Sequence, residues 1–292
     1  MKKYIILTDS SSDLPQWYAD DNNLVVIPLK VRLVNQDKEY FNYLDEREIK
    51  THDFYELLRN GDIGKTSQTN ILDYMDACKK YLEQEYDILG IGFSSGLSGT
   101  FNSMRLAFEE LRELYPNRKI YAIDSLLASL GQGLLVDYAC NLKKQDKSIE
   151  EVYEKVEQIK PHVCSWFTVS DIENLRRGGR ISATSAFIAK NLRINPVLHV
   201  NDEGKLIARY KVIGRKKSII RLVEKMKETF DASYGNTVFI SHGDCLEDAL
   251  FLEKLLKEKL NVEVSIINYV GPVIGSHSGP GTLALFFFGK ER

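Results

Sequence analysis

The sequence predicts a two-domain α/β protein. A parallel, doubly wound N-terminal domain is expected over residues 1–160, and a C-terminal α/β domain with a mixed or antiparallel sheet over residues 161–292. Up to residue 145, apolar runs of strand length alternate with amphipathic runs of helix length, which is typical of βαβ units. Beyond Lys160-Pro161 this alternation gives way to a hairpin pattern. The chain has 292 residues, a length at which single cores usually divide.

The first strand is predicted at Tyr4 to Leu7, a short apolar run followed by the polar segment Thr8 to Asp13. Because its serines and aspartates are typical helix caps and Leu14-Pro15 follows, a helix is expected next. Leu24 to Leu29 contains a proline and therefore predicts an edge strand or a bulge. The first apolar run is too short for the hydrophobic region of a signal peptide.

Periodicity predicts the other elements of both domains. Helices are expected at Ile49–Arg59, Ile71–Leu82, Phe101–Leu114, Leu126 past Cys140, Ile149–Ile159, Ile172–Leu175, Lys216–Phe230 and Leu246–Leu260. Strands are expected at Ile88–Ile91, Ile120–Ile123, Cys164–Val169, Pro196–Val200, Lys205–Val212, Val238–Ile240 and Val262–Ile267. Two segments are expected to be loops: Lys65 to Asn70, which is rich in hydroxyls, and Gly271 to Gly281, which is rich in glycine and proline.

Composition argues against several classes of protein. Hydrophobic residues make up 43%, charged residues 27%, and the net charge is −2, which is ordinary for a globular protein and argues against a dedicated nucleic-acid binder. The four cysteines, at positions 78, 140, 164 and 245, lack the spacing of a zinc site or a disulfide framework. No apolar run approaches the length that spans a bilayer. We therefore expect a cytoplasmic protein without a metal or a cofactor.

The segment Gly92 to Thr100 is rich in glycines and hydroxyls and joins a predicted strand to a predicted helix. Open α/β sheets bind ligands at such positions. Gly92-Phe93-Ser94-Ser95-Gly96 also matches the G-x-S-x-G nucleophile motif, and Asp244 and His277 could complete the triad of a serine hydrolase. Against this alternative, two further glycines extend the loop, whereas a nucleophile elbow needs a helix directly after the serine. A phosphate-binding interpretation lacks the P-loop and dinucleotide motifs.

Three further features have plain structural explanations beside functional ones. Helix capping explains Asp9 to Asp13 as well as a metal or phosphotransfer site does, and we prefer capping. The glycines and prolines around His277 fix its backbone and favour a site role, whereas the histidines at 52, 162, 199 and 242 are expected to be structural. Residues 176–217 carry eleven Lys or Arg against two acidic residues, which suggests an acidic partner surface. Solvated faces explain most of these charges, and Arg180, after a Gly-Gly pair, is the exception.

Six motifs that follow one another along the whole chain resemble the DegV family. They are Thr8-Asp9-Ser10-Ser11-Ser12-Asp13-Leu14, Thr66-Ser67-Gln68, Ser94-Ser95-Gly96-Leu97-Ser98-Gly99-Thr100, Asp124-Ser125, Arg177-Gly178-Gly179-Arg180-Ile181 and Gly271 to Gly281. Thr69 departs from the family, which often has proline there, and so does Asn195-Pro196, where Lys-Pro is common. Neither departure touches a side chain that the resemblance assigns to the ligand.

The resemblance implies a fatty-acid-binding protein that is not itself an enzyme. A long-chain fatty acid would lie in a tunnel with its carboxyl group at the domain junction. Such proteins present the fatty acid to a fatty acid kinase, which forms an acyl phosphate for phospholipid synthesis in bacteria. We also consider a transient contact with a membrane surface.

The resemblance also implies roles for individual residues. Thr66 and Ser95 would donate hydrogen bonds to the carboxylate, and His277 would complete the network. Further ligand-binding residues would be Ser94, Ser98, Gly99 and Thr100. Arg180, with Arg177 beside it, would lie near the mouth of the tunnel and serve the kinase.

Overall fold

The computed structural model describes residues 3–181 and 194–292. The elements before residue 160 are β1 (Tyr4–Asp9), α1 (Gln16–Asp21), β2 (Val25–Ile27), β3 (Lys30–Leu33), β4 (Lys38–Phe41), α2 (Thr51–Arg59), β5 (Gly64–Ser67), α3 (Ile71–Leu82), β6 (Asp87–Gly92), α4 (Thr100–Leu114), β7 (Ile120–Asp124), α5 (Leu130–Lys144) and α6 (Ile149–Ile159). The later elements are β8 (Val163–Thr168), α7 (Glu173–Arg177), β9 (Ile194–Val200), β10 (Leu206–Ile213), α8 (Arg215–Thr229), β11 (Phe239–His242), α9 (Leu246–Leu260), β12 (Ile266–Tyr269), α10 (Pro272–Ser278) and β13 (Leu283–Phe288).

The N-terminal part is built on a four-stranded parallel sheet in the order β2-β1-β6-β7. Helices α3 and α4 contact one side of this sheet, while α5 and α6 pack on the other. Because both faces are covered, β1 and β6 are buried along their whole length and read as continuous apolar runs. β2 lies at the edge, as the proline after it predicts. The parallel N-terminal sheet is therefore confirmed.

The C-terminal part is built on a six-stranded sheet in the order β10-β9-β8-β13-β11-β12. Its only parallel pair among the described residues is β11 with β12, and its other neighbouring strands are antiparallel. The predicted mixed sheet is confirmed, together with the β9–β10 hairpin. The predicted domain boundary falls between α6 and β8, and it stays a prediction.

Helix α5 lies between the two large sheets and contacts strands of both. A helix covered on opposite sides cannot keep a polar face, and α5 is accordingly buried from Leu130 to Val136. The helix begins at Leu130, not at Leu126 as predicted. The reason is local: Leu126 and Ser129 have positive φ angles of 53° and 54°, which no α-helix contains.

Two predicted loops are wrong. Lys65 to Asn70 overlaps β5, which pairs with β3 in a three-stranded antiparallel sheet of order β4-β3-β5, so Thr66 lies on a strand. Gly271 to Gly281 contains α10, a short helix with proline at its first position, where a missing N–H costs nothing. Gly279, with a φ angle of 78°, ends that helix. His277 is therefore held in a helical turn.

Candidate ligand-binding site

A cavity with about 760 Å³ of empty space, including its open mouth, lies between the six-stranded sheet and the N-terminal part. Its floor is one face of that sheet, because paired and alternate residues of a sheet share a face. The floor residues are Ser165, Phe167, Val200, Ser241, Ala284 and Phe286. The small side chains at three of these positions leave room beside the two phenylalanines.

The walls of the cavity are apolar. The N-terminal part contributes Leu29, Phe93 and Leu97, and α10 contributes Val273 and Ile274. Ligand cavities are commonly apolar with a few polar groups that fix orientation. This cavity therefore suits a ligand that is largely hydrocarbon.

One polar end of the cavity is formed by Thr66 and His277. Thr66 Oγ1 lies 2.8 Å from His277 Nε2, although the two residues are 211 positions apart. Strand β5 brings Thr66 to this place through its pairing with Val31 of β3. Helix α10 packs on β5 so closely that a Cβ at Gly64 would lie 2.2 Å from Ser276 Oγ. The glycine thus allows the strand and the helix to bring the two side chains together.

His277 is uncharged at neutral pH. Burial, together with the smaller effect of the positive charge of Arg180, lowers its pKa to about 4. Its Nδ1 has no hydrogen-bond partner among the described residues. A buried N–H without an acceptor is rarer than an unmatched lone pair, which favours the tautomer with the proton on Nε2. His277 then donates to Thr66 Oγ1, and the Thr66 hydroxyl is left to donate into the cavity.

Arg180 supplies the cationic group of the cavity wall. Its Nε donates to the Leu97 carbonyl at 3.2 Å, and its Nη1 donates to the Gly178 carbonyl. Burial lowers the pKa of this guanidinium, although arginine stays charged at any ordinary pH. A partly buried positive charge at the end of an apolar cavity favours an anionic group there. Arg177 is exposed and bonds to Asn174 instead of lining the cavity.

The structure separates the predicted ligand-binding residues into two groups. Thr66, His277 and Ser98 line the cavity, as does Arg180. Four others do not: Ser94, Ser95, Gly99 and Thr100. Ser94 is buried and donates to the Gly204 carbonyl at 2.8 Å, whereas Ser95 is exposed, with its backbone N–H on Asp124.

The hydrolase triad is not assembled. Ser94 donates to a backbone carbonyl, His277 is bonded to Thr66, and Asp244 is paired with His52 and Arg59. Helix α4 begins only at Thr100, so the loop is not a nucleophile elbow. In the first polar segment Asp9 accepts from the Ser11 N–H at 3.1 Å and caps a 3-10 turn, whereas the helix expected after it, α1, has no side-chain cap.

Most of the described basic residues of 176–217 form ion pairs with acidic residues or lie at the protein surface. Lys205 pairs with Glu203 at 2.7 Å, Arg215 with Asp248 at 2.8 Å, and Arg176 with Glu173. Lys190 and Arg193 lie outside the described residues. Of the basic residues of this stretch that the structure describes, Arg180 is the one that lines the cavity.

Sequence reasoning missed the polar groups on the other side of the cavity. Ser129 and Ser241 line it, and Ser129 donates to Asp13. Asp13 is 3% exposed, and burial raises its pKa to about 8. The sequence signal was present, since small and polar residues interrupt apolar runs at Ser165, Ser241 and Ala284. Only the strand order shows that these three positions face the same cavity.

Residues 3–181 and 194–292 contain neither a membrane-spanning helix nor a metal-binding cluster. No helix there is long and apolar enough to cross a bilayer. No group of three or more His, Cys, Asp or Glu side chains in those ranges is arranged to hold a metal ion.

The fold and the site define a class of α/β protein. In this class one face of a mixed sheet forms the floor of an apolar cavity, and a hydroxyl, an imidazole and a guanidinium supply its polar end. The chain belongs to the DegV family, because the family model described as "Uncharacterised protein, DegV family" matches residues 3–290. A DegV domain-containing protein of Clostridium perfringens is 44% identical over 292 residues, covering 100% of this chain and 99% of the relative.

Solved structures of the family are similar along their whole length. DegV from Bacillus subtilis, described as a fatty acid binding protein, has a TM-score of 0.83 and 31% identity, covering 99% of this chain and 100% of that one. A DegV family protein from Thermus thermophilus, solved for its fatty acid binding, has a TM-score of 0.86 and 29% identity over 99% and 100% of the two chains. The two-part α/β fold is thus that of known DegV structures.

Proposed function

We propose that this protein binds a long-chain fatty acid in the cavity. The observation that carries the proposal is an apolar cavity lined by the Thr66–His277 pair and the Arg180 guanidinium. Burial of roughly a dozen methylenes at ~0.8 kcal/mol each gives up to ~10 kcal/mol, which would set the affinity. Hydrogen bonds to a carboxylate, at ~1.5–3 kcal/mol each, would set its orientation.

The head group in this proposal is held by Thr66 and His277, with Arg180 as the nearby countercharge. Neutral His277 fixes the direction of the Thr66 hydroxyl, and that hydroxyl donates to the carboxylate. Ser98 lines the same cavity and is a further hydroxyl within the proposed site. Ser95 lies outside the lining, so the proposal does not depend on it.

The same proposal includes presentation of the fatty acid to a fatty acid kinase, with no catalysis by this chain itself. A carboxylate that must attack a phosphoryl group is better held by hydroxyls than by a close ion pair, since an ion pair would hold the attacking charge. Arg180 bonds to two backbone carbonyls and lies at the same end of the cavity. We propose that it acts in docking or in phosphoryl transfer, with Arg177 on the adjoining surface.

Binding is tested by mass spectrometry of lipid extracted from the purified protein and by titration of the lipid-free protein with octadecenoate. We expect bound fatty acid in the wild type and an affinity at least about tenfold weaker in Thr66→Val. Thr237→Val, which lies outside the cavity, is the matched control. Lipid-free protein that also takes up no fatty acid would refute the proposal. Ser95→Ala belongs in the same assay, and a loss like that of Thr66→Val would return Ser95 to the head group.

Presentation is tested with Arg180→Ala in a coupled assay with a bacterial fatty acid kinase. We expect octadecenoate still to bind, because the apolar cavity supplies most of the binding energy, whereas formation of acyl phosphate falls at least about tenfold. Arg221→Ala, on α8 and outside the cavity lining, is the control. Full acyl-phosphate formation by Arg180→Ala would show that Arg180 serves neither docking nor transfer.

A further inference from the structure

Two walls of the cavity meet along a seam. The loop before α4 contributes Phe93 and Leu97 to one wall, and the β9–β10 hairpin contributes Val200 and Leu206 to the wall that meets it. The tip of this hairpin, residues 201–205, lies between its two lining positions and packs against the loop. Separation of the hairpin tip from the loop would therefore open the cavity to solvent.

Ser94 and Gly96, which belong to the segment that resembles a nucleophile motif, form the contact with the hairpin tip. Ser94 Oγ donates to the Gly204 carbonyl at 2.8 Å. A Cβ at Gly96 would lie 2.4 Å from the Glu203 carbonyl oxygen, so the close approach of the two backbones requires glycine there. The serine and the glycine thus hold the hairpin tip in place from outside the cavity.

Arg292, which follows β13, joins three segments around the same seam. Its Nη1 donates to the carbonyls of Leu126 and Asn201, at 3.2 Å and 3.3 Å, and its Nη2 donates to the Lys160 carbonyl at 2.8 Å. Asn201 begins the hairpin tip, and Leu126 shortly precedes Ala128, a further residue of the cavity lining. A planar guanidinium carries five N–H donors, which lets this one side chain bridge three carbonyl groups.

The hairpin tip depends on these contacts because its pairing with the neighbouring strand stops short of it. The pairing of β9 with β8 covers Val197 to His199 and ends there. Strand β10 is at the edge of the sheet, so its outer side has no neighbouring strand among the described residues. The hairpin tip thus projects beyond the pairing with β8 and can move with little loss of hydrogen bonding in the sheet.

We propose that Ser94 and Arg292 form a clasp that closes the seam, and that the acyl chain enters and leaves the cavity where the hairpin tip parts from the loop. Both are positioning residues, because neither lines the cavity and each acts through the backbone of the hairpin tip. Opening is a step common to entry and exit, so easier opening raises both rates by the same factor and leaves the dissociation constant unchanged. This inference rests on the proposed function, in which the cavity holds a fatty acid.

The test measures the exchange of cis-parinarate, a fluorescent long-chain fatty acid, with the lipid-free, full-length protein by stopped flow. We expect Arg292→Gln to raise the association and dissociation rate constants together at least about tenfold, the effect of removing one hydrogen bond from a charged group, while the dissociation constant stays within about twofold of the wild type. Ser94→Ala, which removes a neutral hydrogen bond, should raise both rate constants about fivefold. Arg292→Lys keeps the charge and fewer donors and should recover part of the slow exchange.

Two controls remove the same kinds of hydrogen bond away from the cavity. Arg112→Gln removes an arginine that donates to the Ile120 carbonyl at 2.8 Å, and Ser218→Ala removes a buried serine hydroxyl that donates to the Arg215 carbonyl at 2.8 Å. Neither residue lines the cavity. Both variants should lose stability in urea, as the clasp variants do, but should keep the exchange rates of the wild type.

Wild-type exchange rates in both Arg292→Gln and Ser94→Ala overturn the clasp, and wild-type rates in one of them remove that residue from it. A weaker affinity with an unchanged association rate constant also overturns the clasp, because it assigns the residue to the cavity wall and not to opening. Faster exchange in the two control variants does the same. If Arg292→Gln does not fold, Ser94→Ala decides between these outcomes. Failure of the wild type to bind any fatty acid overturns the fatty-acid function and the clasp together, whereas binding with unchanged exchange in the variants overturns the clasp alone.

Discussion

His277 and Thr66 form the most informative pair of side chains in the protein. Neither residue predicts the other, because they lie on a helix and a strand that are distant in sequence. The low pKa of His277, about 4, keeps the ring neutral, and the unpartnered Nδ1 favours an Nε2–H that donates to Thr66 Oγ1 across their 2.8 Å contact. Because it is neutral, the imidazole can orient the Thr66 hydroxyl but cannot act as a countercharge. In the proposed site the countercharge is Arg180.

The lowered pKa of His277 makes stability depend on pH in a defined direction. The folded protein binds fewer protons at this site than the unfolded chain, whose histidine pKa is about 6.5, so stability is lost as pH falls from about 6.5 toward 4. Relative to His277→Gln, we expect the lipid-free wild type to lose about 3 kcal/mol of unfolding free energy over this range. Urea unfolding at a series of pH values measures the difference.

His52→Gln is the control for this series. The contribution of His52 to stability changes with pH in the direction opposite to that of His277. Asp244 raises the pKa of the exposed His52 ring, so the contribution of His52 is present at low pH and lost as pH rises. A wild-type minus His277→Gln difference that stays constant between pH 4 and 6.5 would contradict the assigned protonation state.

The contact between β5 and α10 is the element-scale device that forms the polar end of the site. Gly64 allows it, because a Cβ at that position would lie 2.2 Å from Ser276 Oγ and 3.2 Å from Ser276 Cα. The second distance involves the backbone of α10, so rotation of the Ser276 side chain does not relieve it. Any side chain at Gly64 pushes the helix that carries His277 away from the strand that carries Thr66.

Gly64→Ala is therefore expected to lower the unfolding free energy by about 1–3 kcal/mol and to weaken fatty-acid binding along with it. Unfolding in urea and titration with octadecenoate measure the two effects. Addition of Ser276→Gly removes the Oγ and Cβ atoms in the way and should recover part of both. An unchanged affinity in Gly64→Ala would mean that the spacing of β5 and α10 does not control the head group.

Elements with strong local periodicity were predictable, and those fixed by tertiary contacts were not. Helices Ile71–Leu82, Ile149–Ile159 and Leu246–Leu260 begin and end where the sequence predicts. Strand β5 was not predicted because its four residues have no apolar alternation. They form a strand because they pair with β3. Helix α10 escaped because glycine and proline are poor helix formers and burial against β5 outweighs that preference.

At the scale of the whole molecule, Asp13 links three separate parts of the fold. Its carboxyl group accepts from Ser129 at the start of α5, and Ser129 lies 3.0 Å from Ser241 on the C-terminal sheet. Its backbone carbonyl accepts from Asn268 of β12 at 2.8 Å. The pKa of this buried group, about 8, means that the two parts of the protein meet around a protonated carboxyl group at neutral pH.

Protonation of Asp13 gives the second pH dependence, opposite in sign to that of His277. The unfolded chain releases this proton near pH 4, whereas the folded protein keeps it to about pH 8, so stability falls as pH rises between these values. From pH 6.5 to 8, where His277 no longer titrates, we expect the wild type to lose roughly 1–2 kcal/mol relative to Asp13→Asn. Asparagine tolerates the φ angle of 52° at this position.

Thermal or urea unfolding at pH 6.5, 7.25 and 8 measures this difference on lipid-free protein. Asp137→Asn is a control at a second carboxyl group, which is half-buried, has a pKa that is also raised by burial, and accepts from Tyr18 away from the cavity. Parallel pH profiles of the wild type and Asp13→Asn would show that Asp13 is ionised in the folded protein.

The candidate site could be predicted only in part. Some of its residues follow from the family resemblance, whereas others depend on the three-dimensional fold. The family resemblance assigns Thr66, Ser95 and His277 to the carboxylate and Arg180 to the mouth of the tunnel, and the structure brings Thr66, His277 and Arg180 to one cavity. The placement of Ser95 outside that cavity and of Ser129 and Ser241 within it depends on backbone geometry and strand order. Local sequence patterns carry no information on either, because β13 enters the sheet between two strands that precede it in the chain.

Strand β13 has a consequence for how the protein folds. It completes the centre of the sheet by pairing Phe288 with Val163 on one side and Leu283 with His242 on the other. Until that strand is in place, β8 and β11 each have an unpaired apolar edge, and such distant pairing is slow because a long loop must close first. We therefore expect the cavity floor to form late, because a chain that ends before β13 lacks the strand between β8 and β11.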